Sequence, residues 1–242
     1  GAFSAATVAA SLCREHEVPF ELCSTVTKRS LPHVADTIAC ALDLGAVSIR
    51  FSPLQLLGGR SLRIADQALD DEDCVELLAR LTKHRRDVAG RIEVLAANLG
   101  MRVGALTNPC AVYACWGEFC PSKKFWPSRL FVMPDGEVLP QSQHLHRRYS
   151  LGNAQRQGLR AVVESYWQSP RHQAFQILSR HIYQDRIHAS GRPFYFWDEL
   201  AHQASAVPTD ELPVHSTVSH PHDHSEEIER LRRQLGEGLD GV

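Results

Sequence analysis

The first hundred residues switch repeatedly between helical and strand periodicity, and that alternation limits the folds open to the chain. Ser4 to Glu17 reads as a helix, with Val8 and Leu12 on one face. Val18 to Thr27 reads as a strand. Ser30 is placed as an N-cap, with Pro32 in the first turn, Ile38 and Leu42 at helical spacing and Gly45 as the stop. Ala46 to Ser52 is a second strand, broken by Pro53 and by Gly58-Gly59. Asp70 with Asp73 resembles a capping arrangement for a helix to about Gly90, whose apolar face includes Cys74, Leu78, Leu81 and Val88. Arg91 to Ala97 is the third strand.

Strands alternating with helices of this length predict right-handed βαβ units and a parallel sheet. Such a sheet is covered on both faces or closed into a barrel. Three strands preceded by an orphan helix do neither comfortably, so half of a barrel is expected. The chain opens at Gly1 inside what already reads as a fold, and further upstream sequence is expected. In barrels, functional residues project from the C-terminal ends of strands. Ser24, Thr25 and Thr27 on the first strand, and Arg50 and Ser52 on the second, have that placement. The competing reading is ordinary strand-end polar residues. Arg50 stands out, because an Arg inside an alternating strand needs an anionic partner or a route to solvent.

After Gly100 the character changes, and Pro, Gly, Cys and Trp become dense. Cys110, Cys115 and Cys120 are spaced C-x4-C-x4-C. In a reducing compartment clustered thiolates indicate Zn²⁺ or an iron–sulfur cluster; the competing reading is three small residues packed in a tight loop. Arg129 to Leu139 reads as strand, turn, strand, turning at Pro134-Asp135-Gly136. Ala154 to Gln168 reads as a helix with Leu159, Val162, Val163 and Tyr166 inward, and a second helix runs from about His172 to Tyr183. Tyr195-Phe196-Trp197 reads as an aromatic anchor for the tail. From Ala206 large apolar residues are sparse and Pro208, Pro213 and Pro221 intervene, as in a flexible linker. Ser225 to Leu235 is expected to form a terminal helix with Ile228, Leu231 and Leu235 on one stripe. The expected domains are 1–105, 106–205 and a tail, 206–242.

A formal net charge of −2 gives no global pull toward nucleic acid or an anionic membrane. No stretch is apolar for long enough to span a bilayer, and no signal peptide opens the chain. Seven cysteines, an odd number without a secretory signal, argue for a reducing compartment, and the cytoplasm is the expected location.

The order of these signals adds a family resemblance. The run Leu130 to Pro140, then Leu151-Gly152-Asn153, then Tyr166-Trp167-Gln168-Ser169, preceded by the three cysteines, resembles the SPASM domain, the cluster-binding C-terminal domain of many radical S-adenosylmethionine (radical SAM) enzymes. Ser24-Thr-Val-Thr27, Asp43 to Pro53 and Gly59-Arg60 resemble later strands and loops of a radical SAM partial (β/α)6 barrel. The implied fold is α/β: the C-terminal half of such a barrel, followed by a small α+β SPASM- or twitch-like domain. The implied cofactors are a [4Fe–4S] cluster, with Cys110, Cys115 and Cys120 as metal ligands, and S-adenosylmethionine, toward which Ser24, Thr25, Thr27, Arg50 and Ser52 are the candidate residues. The implied activity is generation of a 5′-deoxyadenosyl radical that abstracts hydrogen from a peptide or other small-molecule natural product, with an electron-donor protein as a further partner. Two departures limit the match. The family's cysteine after the hairpin is here Gln141, and no Cys-x3-Cys-x2-Cys motif occurs in the 242 residues. Catalysis therefore depends on that motif lying upstream. The alternative is a non-catalytic, SPASM-derived module that binds a peptide or a partner enzyme. A zinc-stabilised interaction domain is a third reading.

Weaker signals remain. Lys123-Lys124-Phe125-Trp126 with Arg129 mixes basic and aromatic residues, as a single-stranded nucleic acid site does, but on a near-neutral chain a loop beside a substrate channel is the simpler reading. His144 and His146 could stand in for a missing cysteine ligand or be solvated. His220-Pro-His-Asp-His224 reads as an adventitious metal binder.

Overall fold

The computed structural model describes residues 1–107, 129–166, 170–212 and 225–235. The chain divides into two compact units, Gly1–Leu99 with Arg233–Val242, and Gly100–Arg232. The class is α/β, with helices alternating with strands in the first unit.

In the first unit, helix α1 (Ala2–Glu15) precedes strand β1 (Glu21–Val26), helix α2 (Val34–Leu44), strand β2 (Ser48–Pro53), helix α3 (Asp71–Asp87) and strand β3 (Glu93–Ala96). The strands form a parallel three-stranded sheet in the order β1-β2-β3. Sequence order equals spatial order, as successive crossovers in one direction give. Alternate residues of each strand face opposite ways. Val26, Ile49, Phe51 and Val94 are buried on one face together with Ile38 and Ala41 of α2 and Leu77, Leu78 and Leu81 of α3. Each fully buried Leu or Phe contributes roughly 1.5–3 kcal/mol relative to exposure.

Caps set the helix ends. Asp70 and Asp73 each accept the other's backbone N–H at 3.0 Å, a complete capping box at the start of α3. Gly45 closes α2 in the left-handed region, φ 83°. Ser30 departs from its expected role: its Oγ accepts the Thr27 N–H at 2.9 Å, and α2 begins only after a 3₁₀ turn, Leu31–His33. Helix α1 also differs from the sequence expectation, since Val8 and Leu12 of its apolar face are exposed.

The second unit pairs strand β4 (Gly100–Met101) with strand β8 (Phe194–Tyr195). The Tyr195 ring lies where a Cβ on Gly100 would stand, so only glycine fits there. Helix α4 (Arg102–Thr107) follows β4. Strands β5 (Leu130–Val132), β6 (Glu137–Pro140) and β7 (Gly152–Asn153) form an antiparallel sheet in that order. The helix expected over Ala154–Gln168 is split into α5 (Ala154–Gln157) and α6 (Leu159–Tyr166) by Gly158, whose φ is 77°. Helix α7 (Pro170–His181) runs into a π-helical segment, Ile182–His188, in which the Ala189 N–H reaches back five residues to the Gln184 carbonyl at 3.0 Å. Helix α8 (Trp197–Ser205) and the part of helix α9 (Ser225–Leu235) up to Arg232 complete the unit. Its core joins Leu139, Leu145, Tyr149, Phe175, Leu178 and Ile182, and a smaller cluster holds Val138, Leu151, Val162 and Tyr166. Burial raises the Tyr166 phenol above its ordinary range.

A buried Arg ties these elements together. Arg102, 3% exposed, donates from Nε to the Ile187 carbonyl at 3.0 Å, and from Nη2 to the His188 carbonyl at 2.6 Å and Glu227 of α9 at 2.7 Å. Leu231 of α9 is fully buried. The terminal helix expected from sequence is therefore docked within its unit.

Candidate functional site

The parallel sheet's second face is polar. In the register Glu21↔Ser48, Cys23↔Arg50 and Thr25↔Ser52, all six side chains share the face opposite Ile49 and Phe51. The buried apolar strand residues Val26, Ile49, Phe51 and Val94 all lie on the other face. A parallel sheet is ordinarily covered on both sides, so this half-exposed polar surface is the unit's candidate site.

At its N-terminal end, Glu21 Oε2 accepts from Arg50 Nη2 at 3.0 Å and from Ser48 Oγ at 2.9 Å. The Arg50 guanidinium, then the Ser48 hydroxyl, hold the Glu21 carboxyl below its usual range. Arg50 Nε is buried and has no hydrogen-bond partner among the described residues. The anionic partner that an in-strand Arg requires is thus Glu21, with one donor unspent. Cys23, a free and exposed thiol, lies between, its Sγ 3.8 Å from Glu21 Oε1. At the C-terminal end, Ser52 Oγ accepts from Asn98 Nδ2 at 3.1 Å, and Asn98 holds a left-handed conformation, φ 58°. Thr25 is exposed beside Ser52.

Of the five residues singled out from sequence, Thr25, Arg50 and Ser52 are together on this face. Ser24, opposite Phe51, belongs to the helix-covered face. Thr27 lies beyond the ladder, which ends at Val26↔Pro53, and its hydroxyl and amide bond Ser30 in a local turn. Glu21, Ser48 and Asn98 were not visible as site residues, because only the strand register reveals them as neighbours. Beside the site, Lys28 bonds Asp70 at 2.6 Å, and this contact with the Asp73 backbone N–H lowers the Asp70 pKa to about 2.

In the second unit, the expected hairpin is fastened by its own residues. Gly136 (φ 84°) turns it, and a Cβ there would stand 2.7 Å from Asn153 Oδ1 and from Gln155 Cγ. Asn153 caps α5 by accepting the Gln155 and Arg156 N–H groups at 3.1 Å, while its Nδ2 donates to the Asp135 carbonyl at 2.9 Å. The Glu137 N–H, with Arg147, holds the Asp135 carboxyl below its usual range. Gln141 follows β6 at φ 61°, its backbone N–H donating to the Arg129 carbonyl at 2.9 Å. His146 Nδ1 accepts from Arg148, and His202 Nδ1 lies 3.3 Å from the His144 carbonyl. Neither His144 nor His146 joins a group of three metal-ligating side chains among the described residues. Cys110, Cys115, Cys120, the Lys123–Trp126 patch and the His220–His224 run lie outside the described residues. Among the described residues no helix is long and apolar enough to cross a membrane. No protein-family model matches the chain, and no curated protein matches it significantly.

Proposed function

We propose that the chain is the C-terminal portion of a cytoplasmic radical SAM enzyme acting on a peptide or other natural-product substrate. The observation that carries this reading is the parallel sheet that buries Ile49, Phe51 and Val94 on one face and turns Glu21, Thr25, Arg50 and Ser52 to the other, the two-faced construction a barrel wall needs. The donor set suits S-adenosylmethionine. Arg50, with its unspent Nε, is the group for a carboxylate, Glu21 for an ammonium, and Thr25 and Ser52 for hydroxyls. Cys110, Cys115 and Cys120 supply the thiolates that an iron–sulfur cluster takes. The bound cofactors would supply the hydrogen-abstracting chemistry. The residues of this face bind and orient, and the covered face keeps the wall rigid.

The test is anaerobic purification of the polypeptide with any upstream sequence, followed by assay of iron, sulfide and 5′-deoxyadenosine. Iron and nucleoside product are expected, and their absence sinks the reading. Gln141 favours a second reading, a binding module without catalysis, because the residue after β6 is an amide where the resembled family has a thiol. Replacing Cys110, Cys115 and Cys120 together with Ser separates the two. Intact folding and partner binding favour the module, while loss of bound iron favours the enzyme.

A further inference from the structure

Arg102 has more hydrogen-bonding capacity than its surroundings take up. Its side chain is 3% exposed, yet Nη1 is buried and has no hydrogen-bond partner among the described residues. Buried donors in folded proteins are ordinarily satisfied, so an unpaired one on a charged group points to an acceptor. Nε donates to the Ile187 carbonyl at 3.0 Å and Nη2 to the His188 carbonyl at 2.6 Å. Glu227 meets the guanidinium through one oxygen, Oε1, which lies 2.7 Å from Nη2 and 3.5 Å from Arg230 of its own helix. A free carboxylate or phosphate ordinarily takes two parallel N–H groups of an arginine. Glu227 engages Arg102 through Nη2 alone.

The helix that brings Glu227 to this place is lightly attached. In α9 Leu231 is fully buried and Glu227 and Ile228 are half-buried, whereas the other described side chains from Ser225 to Arg233 are exposed. A helix of 11 residues is marginal in water by itself, so α9 owes its order to the seat under Leu231 and to Arg102. The Glu227 side chain is 27% exposed, so the ion pair can be reached from solvent. We propose that Arg102 is an oxyanion-binding site gated by α9: a carboxylate or phosphate group of a small-molecule ligand displaces Glu227, takes Nη1 and Nη2 together, and releases α9. Glu227 is the chain's own stand-in for that ligand. Oxyanion binding and α9 docking exclude one another, so each weakens the other by the same factor. Arg102, Ile187, His188 and Glu227 all belong to the second unit, and the site does not depend on the cofactor reading of the parallel sheet.

In the full chain, inorganic phosphate and acetate are compared with chloride at equal ionic strength. Hydrogen exchange at the α9 amides and the Arg102 Nε–H signal in nitrogen-15 NMR are the two readouts. Phosphate or acetate is expected to speed exchange in α9 beyond its rate in chloride. Glu227→Gln removes the competing charge and is expected to tighten oxyanion binding about tenfold, as a charge-assisted hydrogen bond implies. Adding Arg102→Lys keeps the positive charge, removes the fork and is expected to abolish that gain; the Glu227→Gln result stands by itself if the double variant does not fold. Tighter binding of phosphate identifies a phosphorylated ligand, and tighter binding of acetate a carboxylic acid. An Arg102 signal that neither anion moves in the Glu227→Gln chain, or α9 exchange equal in all three salts, overturns the proposal.

Discussion

The parallel sheet of the first unit places Ile49 and Phe51 under its helices and turns Arg50 and Ser52 outward, whereas the antiparallel sheet of the second unit is fastened by its own turn residues. Val138 and Leu139 of β6 are both buried, in separate clusters. Asn153 bonds the turn at Asp135 and the start of α5 at once. The contrast teaches where each unit holds its polar groups. The second uses them to fix backbone, and the first leaves several on an open face, where a ligand can use them.

Substitutions can break or sharpen that contrast. The largest effect is expected for Arg102→Ala, which removes a buried side chain and its hydrogen bonds to Glu227 and to the Ile187 and His188 carbonyls. A hydrogen bond to a charged group contributes about 1.5–3 kcal/mol, and Arg102 makes three. Hydrogen exchange should show the loss in the second unit and leave β1 to β3 unchanged. Gly136→Val comes next, with about 1–3 kcal/mol from the left-handed backbone, increased by contact with Asn153 and Gln155. Urea unfolding measures it. Asn153→Ala removes a helix cap and is expected to cost about 1 kcal/mol in the same assay.

On the open face the expectation reverses. Thr25→Val and Ser52→Ala should change stability by no more than about 0.5 kcal/mol, while the proposed function has them weaken S-adenosylmethionine binding, measured by calorimetry on the polypeptide with any upstream sequence. Marked unfolding by either would show that this face is structural after all. The smallest effect concerns pH. The folded Asp70 pKa is depressed to about 2 from an ordinary value of 3.8. Its contribution is present above the higher value and is lost as pH falls from 3.8 toward about 2. Asp70→Asn should flatten acid unfolding in that window.

Much of the first unit was legible because its information is local. Gly45, the Asp70–Asp73 box and the spacing of Cys74, Leu78 and Leu81 specify α2 and α3 without any partner. The turn at Gly136 was legible for the same reason. The Glu21–Arg50 pair was not, since it depends on a parallel register between residues 29 apart. Ser24 shows the cost of that missing information. A polar residue beside Thr25 looks equivalent in sequence, but the strand pleat sends it to the covered face. The Gly158 break and the Arg102 cluster were also hidden, one because a single glycine is often tolerated inside a helix, the other because its partners come from two distant segments.

The π-helical segment Ile182–His188 has a consequence for how this chain tolerates length changes. A π turn accommodates an additional residue within a helix, so it is a place where the register has been shifted. Deleting one residue there would restore α-helical pitch and rotate the downstream residues by roughly 100°. The Ile187 and His188 carbonyls would swing away from Arg102, and α9 would lose its anchor. A deletion of one residue in the middle of a helix would thus be felt at the far end of the chain.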